Sequence, residues 1–220
     1  MLSWLPESIS TFGRDIDSIM YLIYYLVGAW LILAEGVLLY FVWRYRASAN
    51  PVATHQPGKS RAALAWVLVP TVLVFICDIG IDAHGSDIWE KIKLNMPETD
   101  QLIRIEGRQF AWNFRHAGPD KQLDTGDDIV TNGQLHVPAG KVIKFELISK
   151  DVLHSFWVPN LRLKQDAVPG RTIAGWFDAN KPGQYGIGCA ELCGSGHGIM
   201  GATLIVHSGE EYEKWVASQR

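Results

Sequence analysis

Apolar residues fall into two long unbroken runs in the first third of the chain and into short alternations thereafter. Residues 20–43 hold a single acid or base, Glu35, and residues 62–81 hold only Asp78. A helix of about 20 apolar residues spans the hydrocarbon core of a bilayer. The pattern therefore predicts transmembrane helices over about 20–43 and 62–82. Pro70 should kink the second, which a membrane helix tolerates, and Asp78 and Asp82 should mark its exit into water. A cleavable signal peptide fits the first run poorly, because the run is long and no basic segment opens the chain. Between the runs lie Arg44, Arg46, Lys59 and Arg61 with no acid. Basic loops stay on the cytoplasmic side, so both termini are expected on the opposite one.

From residue 101 the period becomes two. Ile103 and Ile105 alternate with Arg104 and Glu106, and residues 141–148 alternate in the same way, the mark of half-buried strands. Further β-rich runs cover 154–158, 172–177, 184–188 and 202–207, separated by Pro138-Ala-Gly140, Pro169-Gly170 and Pro182-Gly183. Many short strands at such spacing predict a β-sandwich or barrel. Residues 86–95 read as a short helix or linker ended by Pro97. Residues 209–216 read as a closing helix whose early glutamates, Glu210 and Glu211, suit the helix dipole. The expected organisation is a helical hairpin over 1–85, a linker over 86–100 and a β-domain over 101–220: an α+β, membrane-anchored chain.

Composition adds little to this. The formal net charge of −3 points to no nucleic-acid partner, and the hydrophobic 48% sits unevenly, as an anchor-plus-domain chain requires. Of three cysteines, Cys77 lies in an apolar run and reads as a small buried hydrophobe.

The other two cysteines carry the chemistry. The run Cys189-Ala-Glu191-Leu-Cys193-Gly-Ser-Gly-His197-Gly-Ile-Met200 places two thiols, an imidazole and a thioether among glycines, and His154 lies upstream. Soft sulfur with imidazole favours copper, with a weak axial methionine tuning the site. Two cysteines allow two copper ions to share two bridging thiolates. Each ion then takes one histidine and one weaker ligand, the Met200 sulfur or a loop carbonyl such as that of Glu191. Structural zinc has no use for Met200 and is usually held at other spacings. A disulfide would leave His197 and Met200 unexplained, and covalent haem attachment requires Cys-x-x-Cys-His. His55, His84, His116, His136 and His207 read as surface or hydrogen-bonded histidines.

The segments Asp151-Val-Leu-His154-Ser-Phe-Trp-Val-Pro159, Leu163-Lys-Gln-Asp-Ala-Val-Pro-Gly-Arg171 and Pro182-Gly-Gln-Tyr-Gly-Ile-Gly-Cys189, with the copper run, resemble cytochrome c oxidase subunit II. The resemblance extends from the first apolar run to about Trp215. It implies a two-helix transmembrane hairpin packed on a haem-bearing catalytic subunit I, other oxidase subunits, and a cupredoxin-like Greek-key β-barrel. It implies the dinuclear copper centre CuA, with His154, Cys189, Glu191 (through its carbonyl), Cys193, His197 and Met200 as ligands. The Glu191 carboxylate would help bind magnesium at the junction with the catalytic subunit. Electrons would pass from a cytochrome c-type donor through copper to haem, where oxygen is reduced to water. The expected location is the bacterial inner (plasma) membrane, with the copper domain on the periplasmic side. Quinol-oxidising members lack the copper ligands, and no cytochrome c domain follows the copper run, so a separate protein donor is expected. The alternatives are the CuA subunit of a nitric oxide reductase and a membrane-anchored copper-binding or chaperone protein.

Two departures from the family pattern matter. A glutamate that the family often places just before its second helix, near a proton path, is absent from residues 60–66. Glu35 reads either as a buried neutral carboxyl or as a functional acid. The family's aromatic strand usually reads Gly-x-Gln-Trp-x-Trp, and its first Trp receives the electron; here the strand is Gly107-Arg-Gln-Phe110-Ala-Trp112. Phe110 and Trp112 are thus the expected point of electron arrival, with Trp112 and Phe114 alternatively plain core residues. Asp120, Asp124, Asp127 and Asp128 are candidate acids for steering a basic donor.

Overall fold

The structure is a computed structural model that describes residues 5–53, 55, 57–99 and 101–219. Residues 1–4, 54, 56, 100 and 220 lie outside the described residues. The chain divides into two units, 15–89 and the remainder.

The first unit is a pair of helices, α1 (Gly13–Arg44) and α2 (Arg61–Trp89), both long and apolar enough to cross a membrane. Their exposed faces carry Leu31, Ile32, Leu39, Val42, Trp66 and Phe75, apolar surface that water would not tolerate over such an area. Pro70 lies inside α2 without ending it. The Ser18 hydroxyl lies 3.0 Å from His84 Nε2, tying the two helices near one end. The short helix or linker expected over 86–95 is helical through Leu94, but it is not a separate element. Helix α2 runs on past Asp82 to Trp89 and continues as a π-helical turn, Glu90–Leu94. Nothing in Ile81–Trp89 forbids helical dihedrals, so the apolar run marks where hydrocarbon would end and not where the helix does.

Among the described residues the second unit has ten strands. One sheet runs β3 (Ile129–Asn132), β2 (Ala111–His116), β1 (Gln101–Arg108), β5 (Val142–Ser149) and β8 (Ile173–Asp178). The other runs β4 (Gln134–Pro138), β10 (Gly201–His207), β9 (Gly183–Cys189), β6 (His154–Val158) and β7 (Leu163–Ala167). Pairing is antiparallel except for β1 with β5 and β10 with β4. The period-2 residues face inward as expected: Ile103, Ile105, Trp112, Phe114, Ile143, Phe145 and Leu147 meet Leu135, Val137, Phe156, Val158 and Leu204 between the sheets. Phe156 is the pivot, its ring 5.4 Å from Trp112 and 6.4 Å from both Phe114 and Phe145. The two facing sheets are the β-sandwich or barrel that the pattern predicts, and they fit the cupredoxin-like fold that the resemblance implies. Helix α3 (Gly209–Ser218) follows, opened by a capping box in which Ser208 and Glu211 exchange hydrogen bonds.

One feature of this unit has no periodic signal in the sequence. Residues ahead of α1 lie along the barrel as a strap. The Ile9 N–H donates to Asn160 O at 2.8 Å and the Asn180 N–H to Ile9 O at 2.8 Å. Ile9 and Phe12 are buried, the Phe12 ring meeting Trp176 edge-on at 5.2 Å. Trp176 also donates its indole N–H to Ile92 O at 2.9 Å, fastening the turn that follows α2.

Candidate metal centre

Four short elements bring the soft ligands together. His154 opens β6, Cys189 closes β9 and Met200 immediately precedes β10. Strands β6 and β9 are neighbours, with Phe156 opposite Cys189. The loop between Cys189 and Met200 is closed at its neck by the Cys189 N–H donating to Met200 O at 3.1 Å. It is anchored to β6 by the Ala190 N–H donating to Ser155 O at 3.0 Å. Its far side is a 3₁₀ turn, His197–Ile199.

Within this frame Cys189 Sγ lies 3.9 Å from Cys193 Sγ. His154 Nδ1 is 4.0 Å from Cys189 Sγ, and His197 Nδ1 is 3.7 Å from Cys193 Sγ. Met200 Sδ is 3.7 Å from Cys193 Sγ, and Glu191 O is 3.2 Å from Cys189 Sγ. His154, Cys189 and Cys193 offer ligand atoms that all lie within 4.8 Å of one another. A disulfide bond is about 2.05 Å long, so the cysteines are unlinked. Every sequence-predicted ligand is therefore gathered here, Glu191 through its carbonyl. The set is two sulfurs, two imidazole nitrogens, a thioether and a carbonyl oxygen. It is too soft and too sulfur-rich for magnesium or calcium, and it contains a thioether that zinc sites do not use. These donors fit copper. Burial raises the Cys193 thiol to about 11, with the neighbouring Cys189 adding to the shift.

A second layer holds the ligands in place. Nε2 of His154 lies 2.8 Å from Asp151 Oδ1, and the ring is fully buried. Asp151 Oδ2 accepts the Gln109 N–H at 2.7 Å. Burial works against the Asp151 charge, yet the Gln109 N–H, the His154 ring and the Val152 N–H together hold its carboxyl below the usual range. Gln109 Nε2 donates to Cys193 O at 2.6 Å, reaching across to the copper loop. Two glycines are required by close approach. A Cβ on Gly107 would lie 3.0 Å from the Trp112 ring and 3.2 Å from His154, and one on Gly196 would lie 2.4 Å from the Phe110 ring.

The two aromatic candidates for electron arrival separate. Phe110 sits in the β1–β2 turn against Gly194 and Gly196 of the copper loop, half-buried. Trp112 has no exposed surface; its ring lies 6.0 Å from His154, inside the barrel. It cannot touch a donor. Leu192 (76% exposed) and Ile199 (85%) project from the loop instead, and nothing in the sequence separated them from ordinary loop residues.

The acids expected to steer a donor are otherwise engaged. Asp124 pairs with Arg104 at 2.6 Å and Asp128 with Arg115 at 3.1 Å. Asp127 accepts from Thr125 at 2.7 Å and Asp120 from the Gln122 N–H at 2.9 Å. They knit the β2–β3 loop to itself and to sheet arginines. The histidine expectation also needs correction. His136 Nδ1 and His207 Nε2 are 2.8 Å apart as expected of hydrogen-bonded residues, but His116 is buried and has no hydrogen-bond partner among the described residues.

Fold and site together define a two-helix-anchored cupredoxin-like domain with a copper-type ligand cluster. Residues 116–208 match the family described as cytochrome c oxidase subunit II, periplasmic domain. A cytochrome c oxidase subunit 2 from Synechocystis is 30% identical over 258 residues, spanning 97% of this chain and 75% of that protein. An alternative cytochrome c oxidase subunit 2 from Bradyrhizobium diazoefficiens is 29% identical, spanning 99% and 84%. The crystal structure of the periplasmic domain of subunit II of cytochrome oxidase of Bradyrhizobium japonicum is 30% identical, with a TM-score of 0.49, covering 57% of this chain and 96% of that one. The chain belongs to the cytochrome c oxidase subunit 2 family.

Proposed function

We propose that this chain is the electron-transfer subunit of a cytochrome c oxidase, and that its copper centre is the dinuclear CuA. The reading rests on one observation: each thiol is paired with its own imidazole, Cys189 with His154 and Cys193 with His197, while the two sulfurs stand 3.9 Å apart. His154, Cys189, Cys193, His197, Met200 and the Glu191 carbonyl would hold the pair. Copper bound there supplies a one-electron carrier with charge spread over two ions. The chain's own residues supply rigidity. His154 is fixed by strand β6 and Asp151, Cys189 by strand β9, and the loop neck by its backbone hydrogen bond. Little ligand movement between oxidation states is what fast electron transfer requires.

The electron comes from a cytochrome c-type donor and goes to haem in the catalytic subunit, where oxygen is reduced to water. Phe110 is proposed at the arrival face, and Trp112 acts only as an interior neighbour of His154. The Glu191 carboxylate, half-exposed on the loop, is proposed to share magnesium with the catalytic subunit. The copper domain is proposed to face the periplasmic side of the bacterial inner membrane. The strap at Ile9 and the barrel are one unit, so two crossings return the chain to the side on which it started. The four basic residues of the connector favour the inner side for it. The family match favours an oxidase over a nitric oxide reductase subunit or a copper chaperone.

The purified chain should carry two copper ions and show an intense purple mixed-valence spectrum. Cys193→Ser should abolish that spectrum, and Met200→Leu should keep both ions and shift the potential. A chain that holds one zinc ion and stays colourless would sink the assignment.

A further inference from the structure

The loop that carries Cys193 and His197 is fastened at its ends. The Cys189–Met200 backbone bond closes the neck, and the Ala190 N–H is held by Ser155 O. The bonds of the 3₁₀ turn stay inside the loop: the His197 N–H donates to Gly194 O at 3.1 Å and the Ile199 N–H to Gly196 O at 3.1 Å. Among the described residues, one hydrogen bond reaches residues 191–199 from outside the loop, the 2.6 Å bond from Gln109 Nε2 to Cys193 O. The main-chain N–H of Gln109 donates to Asp151 Oδ2 at 2.7 Å, and Asp151 Oδ1 stands 2.8 Å from His154 Nε2. A continuous line of hydrogen bonds therefore joins His154, through Asp151 and Gln109, to Cys193. Gly194 makes room for it, since a Cβ there would lie 2.9 Å from Gln109 Nε2.

We propose that Gln109 is a positioning residue of the copper centre, its side chain holding Cys193 at bridging distance from Cys189. This rests on the dinuclear copper reading above. Cys189 closes strand β9 and takes its place from the sheet, whereas Cys193 lies four residues beyond the strand end. The Phe110 ring also packs against this loop, but apolar contact is non-directional and cannot fix where a carbonyl points. A hydrogen bond does fix it, and with it the Cα from which the Cys193 thiol projects. Without that bond Cys193 and His197, which share the loop, are free to shift together against Cys189 and His154. The two halves of the centre then cease to be equivalent.

The test uses the full-length copper-loaded chain in lipid nanodiscs. Gln109→Met keeps the length of the side chain and loses the donor, and Gln109→Asn keeps the amide but stops short of Cys193. Both leave the main-chain N–H on Asp151. The paramagnetic resonance spectrum of the parent should show one unpaired electron shared equally by two copper nuclei. In both variants the sharing should become unequal, and copper should pass to a chelator roughly two- to tenfold faster, the factor that one hydrogen bond contributes. A packing role alone predicts instead that Gln109→Met, which fills the same space, matches the parent. A parent-like spectrum and release rate in Gln109→Met overturn the proposal, and if that variant does not fold, the same result in Gln109→Asn does so. A parent chain that never shows the shared pattern refutes the dinuclear reading itself, and the role of Gln109 falls with it.

Discussion

Asp151 Oδ1 lies 2.8 Å from His154 Nε2, while the other nitrogen of the same ring faces Cys189 Sγ at 4.0 Å. A carboxylate there only accepts, so Nε2 carries the proton and Nδ1 keeps its lone pair for a metal. Such an outer carboxylate fixes the ring and raises ligand basicity. Asp151→Asn keeps the shape and removes the charge, so both coppers should remain while the reduction potential rises, because a negative charge that favoured the oxidised state is gone. Asp151→Ala also leaves a buried N–H unmet and should cost about 1–3 kcal/mol in stability. Potentiometric titration and thermal unfolding check the two effects. An unchanged potential in Asp151→Asn would mean that the carboxylate does not tune the site.

Much of this was legible before the structure. The soft ligands lie in one short run with His154 upstream, and the alternation at Ile103 and Ile105 marks inward faces that the barrel does bury. What escaped is what lacks a period. The Ile9–Phe12 strap is held by backbone groups and two buried side chains, a pattern too short to register. The support from Gln109 to the Cys193 carbonyl crosses 84 positions, a pairing that only the β1–β2 turn creates. The acidic loop misled for a physical reason. Four aspartates read as a surface field, but Arg104 on β1 pairs with Asp124 and Arg115 on β2 with Asp128.

The two roles proposed for Glu191 fall on different atoms, one on the main chain and one on the side chain. Its carbonyl stands 3.2 Å from Cys189 Sγ and is unaffected by changes beyond Cβ. Glu191→Gln should therefore leave the copper spectrum nearly intact and weaken magnesium or manganese binding in the assembled oxidase. Manganese resonance spectra of the complex give the readout. Identical signals from parent and variant would remove Glu191 from the magnesium site.

His116 should make the domain acid-sensitive. Burial and, secondarily, the charge of His136 push its pKa down from 6.5 to about 3. The folded state thus resists a proton that the unfolded chain accepts, so stability is full above about pH 6.5 and falls as pH drops from there toward the folded value. One such group costs about 2 kcal/mol between pH 8 and pH 5. His136, lowered to about 4 by burial and by His207, adds to the same slope. His116→Phe should be at least as stable as the parent at pH 8 and should lose less on acidification. Thermal unfolding of both chains at the two pH values compares them, and the parent–variant difference cancels the copper ligands' own titration. Parallel losses in parent and variant would show that His116 is not the acid-sensitive group.

The proposed arrival of electrons at Phe110 is open to a direct test. Its ring packs against Gly194 and Gly196 of the loop that also carries the exposed Leu192 and Ile199. Truncation to alanine removes apolar contact and a short route, but it also leaves space beneath the loop. Phe110→Leu fills most of that space without an aromatic ring, so the pair separates packing from electronic effects. Phe110→Ala should slow oxidation of the donor with the purple spectrum unchanged, and Phe110→Leu should recover most of the rate if apolar contact is what the donor needs. Asp124 and Asp128 are tied up in pairs with Arg104 and Arg115, Asp120 and Asp127 accept hydrogen bonds within their own loop, and Lys150 pairs with Glu106 at 3.1 Å. The rate should then vary only weakly with ionic strength, since an apolar centre without a strong charged field gives little long-range steering. Stopped-flow oxidation of the donor across a salt series measures both quantities. A steep salt dependence together with parent-like rates in Phe110→Ala would place electron arrival elsewhere on the domain.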